Sequence, residues 1–376
     1  SATVTATYTK SNIKESEFTV ENGILTNYSG TDGSVTIPMY YNNSVITGIA
    51  AGVFENNTTL ESVTLSQELI AVGSDAFNGC INLNSVTAPS VQSVGDRAFY
   101  GCTSLNGFVL SNAKTIGISA FENAGTTTGT LSATYSTSIG EKAFYNCGFK
   151  TVYLTNAKTI GTECFADSQD LSSVNVSKAT DLGDSVFKNC ALLQTVTLSA
   201  ITTIPESTFS GCVGLGTINA NKVILVENNA FYGCSSLKTI KLTALTTVGD
   251  YAFAGCGIEN LIHSNIIALG NKSFGDCADL IKVSLAKLTE FNADSFEGSV
   301  NVTSFELPGV TSLTNGKIAL SQTFPSLTSF SAVNCKGYVP DYYFRDCFSL
   351  QEVNLPSVTA IGISAFENTF GIGSPI

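Results

Sequence analysis

The chain has 376 residues, 43% of them hydrophobic and only 13% charged, with a formal net charge of −12. This is ample apolar surface for a core, and it leaves no basic surface to neutralise phosphates, which argues against nucleic acid and anionic membrane as partners. Neutral or cationic partners remain, and no apolar run approaches the roughly 20 residues of a membrane-spanning helix.

The opening "SATVTATYTK" carries no apolar signal-peptide segment, so any export signal or anchor is expected outside these residues. Residues 1–50 read as a β-rich N-terminal cap: "EFTVENGILTNY", "SVTIP" and "SVITGI" are short strands separated by "ENG" and "SGTDGS" turns.

From residue 51 to 376 a repeat takes over. An anchor phenylalanine recurs at Phe54, Phe77, Phe99, Phe121, Phe144, Phe165, Phe187, Phe209, Phe231, Phe253, Phe274, Phe296, Phe344 and Phe366, usually 22 residues apart. The 48-residue gap before Phe344 fits one degenerate unit with Leu320 in the anchor slot and one inserted residue. A fixed period in this range signals a solenoid whose turns bury their faces only against one another.

Within the unit that begins at Phe231, Cys234, Leu237, Ile240 and Leu242 are the apolar slots. Ile240 and Leu242 flank Lys241 with the period of a strand, as do Val63/Leu65, Val152/Leu154 and Val196/Leu198. The following "VGDYAF" or "VGDRAF" pairs a glycine reversal with Asp or Ser placed to cap a short helix or 3-10 turn. The predicted fold is therefore an α/β solenoid of units of about 22 residues, with short parallel strands on the concave face and helical or 3-10 turns on the convex face. At the usual strand spacing its length is roughly 65–70 Å, with curvature set by the different widths of the two sides.

The strings "SVGDRAFYGCTSL" and "LPSVTAIGISAFENTF" resemble the BspA-type (Treponema-like) leucine-rich repeat, over about residues 45–370. The resemblance implies a right-handed leucine-rich solenoid, exported and displayed on a cell, that binds proteins of a host or of neighbouring cells. The proline that follows the strand in this pattern survives only at Pro89, Pro308 and Pro356.

Nine of the 11 cysteines, from Cys80 to Cys347, sit three residues after an anchor. A metal ladder or a stack of disulfides is conceivable, but Asn57, Ala124, Ser168, Ser299 and Thr369 fill the same slot. The favoured reading is a small buried hydrophobe. The single histidine, His263, aligns with core leucines and reads as a hydrogen-bonded core residue rather than a catalyst. Asp96, Asp184 and Asp250 recur at one slot and read as caps, and no phosphate-binding loop is present. No catalytic residue, metal or cofactor is expected, and the chain is not expected to be an enzyme.

The informative surface is the outward row of the strands, from Thr64, Thr87, Val109 and Ser132 through to Asn354. Within it Tyr153, Thr197, Asn219, Lys241, Ile262 and Glu306 are the candidate binding residues, because long and aromatic side chains concentrate binding energy. On the convex side Tyr100, Tyr145 and Tyr232 form a possible second patch. The expected function is non-enzymatic adhesion or protein binding at a cell surface. The expected partner is a protein ligand, such as host extracellular matrix or another cell's surface protein, with no nucleic acid and no membrane insertion within this chain. A passive spacer and a carbohydrate- or mucin-binding module are the alternatives.

Overall fold

The computed structural model describes residues 15–314 and 319–369. Successive turns stack so that equivalent segments hydrogen bond in parallel and in register, giving the solenoid that the period demands.

Each regular turn contributes two strands. The first is the expected one: in Ser62–Thr64, Ser85–Thr87 and Thr151–Tyr153 the central residue is buried and its successor is exposed. The second is a two-residue strand just before the glycine, as in Ala71–Val72, Ser93–Val94, Thr115–Ile116 and Ser138–Ile139, each paired in parallel with the next. Both ladders run back into the segment before residue 50. Ser34–Thr36 pairs with Ser62–Thr64, and Gly48–Ile49 links Ala71–Val72 to Ile24–Tyr28. The antiparallel hairpin Phe18–Glu21/Ile24–Tyr28 forms the outer edge, turning through Asn22 and Gly23, both at positive φ.

The anchor segments are turns rather than helices, apart from the 3-10 stretch Ala293–Phe296 and the short helix Leu320–Thr323. The reason lies in where their amides go. The N–H groups of Arg97, Phe99 and Gly101 donate to the carbonyls of Ile118, Ala120 and Glu122 on the next turn, at 2.8–2.9 Å. Only the intervening amides bond locally, so a continuous helix cannot form. Two residues after the anchor the backbone is left-handed, at Asn56, Gly79, Gly101, Asn123, Asn146, Asp167 and their successors. Gly, Asn and Asp, the residues that reach this conformation most readily, occupy this slot, whereas a second left-handed position two residues before the anchor also takes Arg97, Lys142 and Tyr251.

With no helix to cap, the recurring Asp has a different task from the one expected. Asp96 accepts the Ile118 N–H at 2.7 Å and Asp250 accepts the Asn271 N–H at 2.7 Å, tying these two turns to the ones after them. The preceding glycine is set by crowding: a Cβ on Gly95 would stand 2.6 Å from the Ser74 nitrogen.

The anchor rings form a column. From Phe54 to Phe296 neighbouring rings are stacked, with centroids 4.9 to 5.7 Å apart. Tyr28 continues the column at the N-terminal end, 5.1 Å from Phe54. This advance per turn is close to the spacing of about 4.8 Å between paired strands, so the two sides of the coil have nearly equal widths and the array curves only gently. At the degenerate unit Leu320 is buried, as expected of an anchor, and Phe324 fills the slot three to four residues on, meeting Phe305 edge-on at 4.9 Å.

Candidate functional site

From Thr64 to Asn175 the outward row of the first ladder is a continuous surface, and it resumes in separate sheets from Thr195 and from Asn260. Thr64 pairs with Thr87, Thr87 with Val109, Val109 with Ser132, Ser132 with Tyr153 and Tyr153 with Asn175. No member from Thr64 to Asn354 is buried, whereas the residues flanking them belong to the core, such as Val152 and Leu154 beside Tyr153. Row positions thus contribute little to folding and are free to face a partner.

The six candidates lie along this row but do not converge. Tyr153 and Glu306 are seven turns apart, roughly 34 Å at ladder spacing. Tyr153 is 42% and Ile262 65% exposed. The Asn219 amide reaches the Thr197 hydroxyl at 3.5 Å. Glu306 accepts a hydrogen bond from Ser284 at 3.1 Å, with the Lys282 ammonium at 3.9 Å. At Lys241 the expected strand is not formed: 238–242 lies outside any ladder, between Thr217–Asn219 and Asn260–His263. Lys241 is exposed and Leu242 buried all the same, so the strand-like alternation persists without the pairing.

The ladder also holds a groove that the sequence reading did not single out. A shallow cavity of about 810 Å³ spans strands Ser85–Thr87, Phe108–Val109 and Thr130–Ser132. Its floor carries Thr87, Val109 and Ser132, with Asn106 and Thr128 at one end and Pro89 and Ser111 at the other. Two irregularities in the repeat border it on its C-terminal side. The "AGTTTGT" segment after Phe121 holds one extra residue, and "CGF" after Phe144 lacks one. Phe149 then fills the leucine slot, fully buried, where a Cβ on Gly125 or Gly129 would meet its ring at 2.8 or 2.9 Å. Those glycines and the shortened "CGF" were the available signal.

Charge is segregated away from this face. Seventeen acidic and five basic residues lie between four positions before and two after an anchor phenylalanine, which accounts for the whole excess of −12. The anchor turns are acidic and the rest of the sequence is balanced.

The model of the BspA type leucine rich repeat region matches residues 34–147, 137–225, 216–324 and 311–374. The chain belongs to this family. Among solved structures, a leucine-rich repeat protein from Bacteroides ovatus aligns with a TM-score of 0.57 at 22% identity, over 94% of this chain and 90% of that one. The T. pallidum leucine rich repeat protein aligns with a TM-score of 0.42 at 24% identity, over 45% and 82%. A leucine rich cell surface protein from Faecalibacterium prausnitzii gives 0.46 at 19%, over 94% of each chain. No curated protein matches the sequence.

In this BspA-type array the cysteine slot does more than fill space. Cys80, Cys102, Cys190, Cys212, Cys234, Cys256 and Cys277 each direct Sγ at the carbonyl of the anchor one turn earlier, at 2.9–3.2 Å. Ser168 and Ser299 make the same bond at 2.8 and 2.7 Å. The slot therefore favours a small donor, which explains why Ser substitutes for Cys. All 11 thiols are free and buried. Burial pushes the Cys80, Cys277 and Cys347 thiols up to about 12 and Cys147 to about 11, so thiolate chemistry is suppressed.

His263 is 7% exposed and both ring nitrogens are engaged. Nδ1 accepts the Asn265 N–H at 3.2 Å, which leaves the proton on Nε2 to donate to the Leu242 carbonyl at 2.9 Å. The imidazole is thus a brace between turns. On the turn side, Tyr145 donates to Asp167 at 2.6 Å, and that bond pushes its phenol up to about 12. Arg97 lies 4.5 Å over the Tyr100 ring, while Tyr232 is exposed. These tyrosines sit in separate turns and do not form one patch. Among the described residues no helix is long and apolar enough to cross a membrane.

Proposed function

We propose that this BspA-type protein is a non-enzymatic recognition module, exported and displayed at a cell surface, that binds a protein partner through its exposed strand row. The observation that carries this reading is the row itself: an ordered ladder of side chains, none buried, held on a stack whose stability does not depend on them. Family membership supports the exported setting. The non-catalytic reading rests on how the reactive groups are used. The imidazole braces two turns, seven of the thiols hold anchor carbonyls, and Asp96 and Asp250 hold amides of the next turn.

The test is a binding screen of the purified chain against arrayed extracellular-matrix proteins, mucins and glycans, with the triple variant Tyr153→Ala, Lys241→Ala, Glu306→Ala alongside. A saturable protein hit weakened by the triple variant supports the reading. A hit unaffected by it and by Val109→Arg moves binding off the row. Binding of glycans alone, or no binding by a folded sample, replaces the reading with a carbohydrate module or a spacer.

A further inference from the structure

The groove over Val109 differs from the rest of the surface in three ways, each traceable to named residues. None of the residues lining it is charged, although the chain carries a net −12. Its floor is apolar at the centre, where Val109 is 58% exposed on a strand position that is usually Thr, Ser or Asn. Its rim is pre-set: the Thr126 and Thr128 hydroxyls both donate to Asn106 Oδ1, at 2.9 and 3.1 Å. Fixing the oxygen in this way orients the amide and leaves its two N–H bonds available at the groove's end. At the other end Asn112 holds the Pro89 carbonyl at 2.8 Å, and one turn on its slot is taken by Tyr135, 63% exposed.

We propose that this groove is the principal contact site of the row, and that it receives an uncharged, extended peptide segment of a protein partner. The inference rests on the protein-binding reading above and narrows it to three neighbouring positions of the row, Thr87, Val109 and Ser132. The strands present side chains rather than free backbone edges here, so the segment cannot be added as another strand; it is recognised by hydroxyl and amide groups. Peptide carbonyls suit the Asn106 amide and the Thr and Ser hydroxyls, and a small apolar side chain suits Val109. A charged segment would face neutral walls without a counter-ion, at a desolvation cost. The neighbouring exposed Tyr135 and Tyr153 supply aromatic contact of the kind that dominates interface energies.

The experiment uses the full chain and a synthetic array of octapeptides in uncharged, basic and acidic sets, with neutral oligosaccharides in parallel, followed by fluorescence anisotropy on the hits. Val109→Arg and Thr87→Lys each place a cation on the groove floor at an exposed position, and thermal melting checks that they fold. The expected result is a set of uncharged peptide hits weakened about tenfold or more by either variant and unchanged by Lys241→Ala. Peptide hits spared by both groove variants and lost in Lys241→Ala or Glu306→Ala overturn the groove while keeping the row. A purified protein bound through the row, with no peptide bound, also overturns the groove alone. Preference for basic peptides that no row variant disturbs, or binding of oligosaccharides alone, overturns both readings.

Discussion

Two stretches of the array solve the same packing problem differently. From Phe165 to Phe274 every turn repeats one solution: anchor ring on anchor ring, and a Cys or Ser donating to the previous anchor's carbonyl. Between Phe121 and Tyr153 the rings stay stacked, 5.3 Å from Phe121 to Phe144, but the rest of that solution fails. Ala124 brings no donor, one turn is a residue too long and the next a residue too short. There the core is closed by Phe149, which lies edge-on to Phe121 at 6.3 Å in space kept open by Gly125 and Gly129. A departure from the repeat is thus absorbed within two turns, and the groove over Val109 adjoins it on the outward face.

The comparison can be broken first with alkali. Burial pushes the folded thiols of Cys80, Cys102, Cys190, Cys212, Cys234 and Cys277 above their ordinary value of 9, so above pH 9 the folded chain holds more protons than the unfolded one. Stability is full below pH 9 and is lost as pH rises towards about 12, where Cys80, Cys277 and Cys347 ionise in the fold. Because many thiols act together, this is the largest effect expected, and hydrogen exchange followed by mass spectrometry localises it. Protection should fail first in the turns carrying Cys190 to Cys277 and last around Ala124; uniform loss along the chain would remove the link to the column.

A smaller effect separates two kinds of glycine. Gly125→Ala puts a methyl 2.8 Å from the Phe149 ring at a φ of +92°, and should cost about 2–3 kcal/mol in urea unfolding. Gly233→Ala, at a φ of +73° with nothing within 4 Å of the added carbon, should cost about 1 kcal/mol. Equal costs would mean that backbone strain, not the Phe149 fit, governs the irregular turns.

The smallest effect concerns the donor slot. Cys212→Val should lose about 1 kcal/mol through the missing bond to the Phe187 carbonyl, while Cys212→Ser should be within about 0.5 kcal/mol of the parent. If Val were tolerated and Ser not, the slot would be chosen for hydrophobic volume, as the sequence alone had suggested.

The anchors were legible because a bulky residue every 22 positions survives as pattern, and the strand row followed from Val152 and Leu154 flanking Tyr153. The second ladder was not, because a two-residue strand such as Ser93–Val94 is too short to show a period. The helical turns were overestimated: Gly-Asp before Ala-Phe looks like a helix start, and only the stacked neighbour shows that the amides leave the segment. The donor role of Cys was hidden because a buried thiol and a buried hydrophobe leave the same mark in sequence; Ser168 and Ser299 in that slot were the clue. The candidate residues Tyr153, Lys241 and Glu306 were chosen by size and lie far apart, whereas the groove depends on Val109 and Asn106, which only the three-dimensional neighbourhood distinguishes.

The closure of each turn's bonds on the turn beside it has a consequence for how such a gene can grow. Duplication of a whole 22-residue unit inserts a coil that meets its neighbours with the same ring, the same donor and the same amide rungs, and lengthens the rod by about 5 Å. Recombination in whole units can therefore adjust reach from a surface in small steps while existing turns stay as they were. Gain or loss of a single residue is different, since the slots after it must be refilled locally, by Phe149 against Gly125 and Gly129 in one place and by the buried Ile258 in the short unit after Phe253 in another.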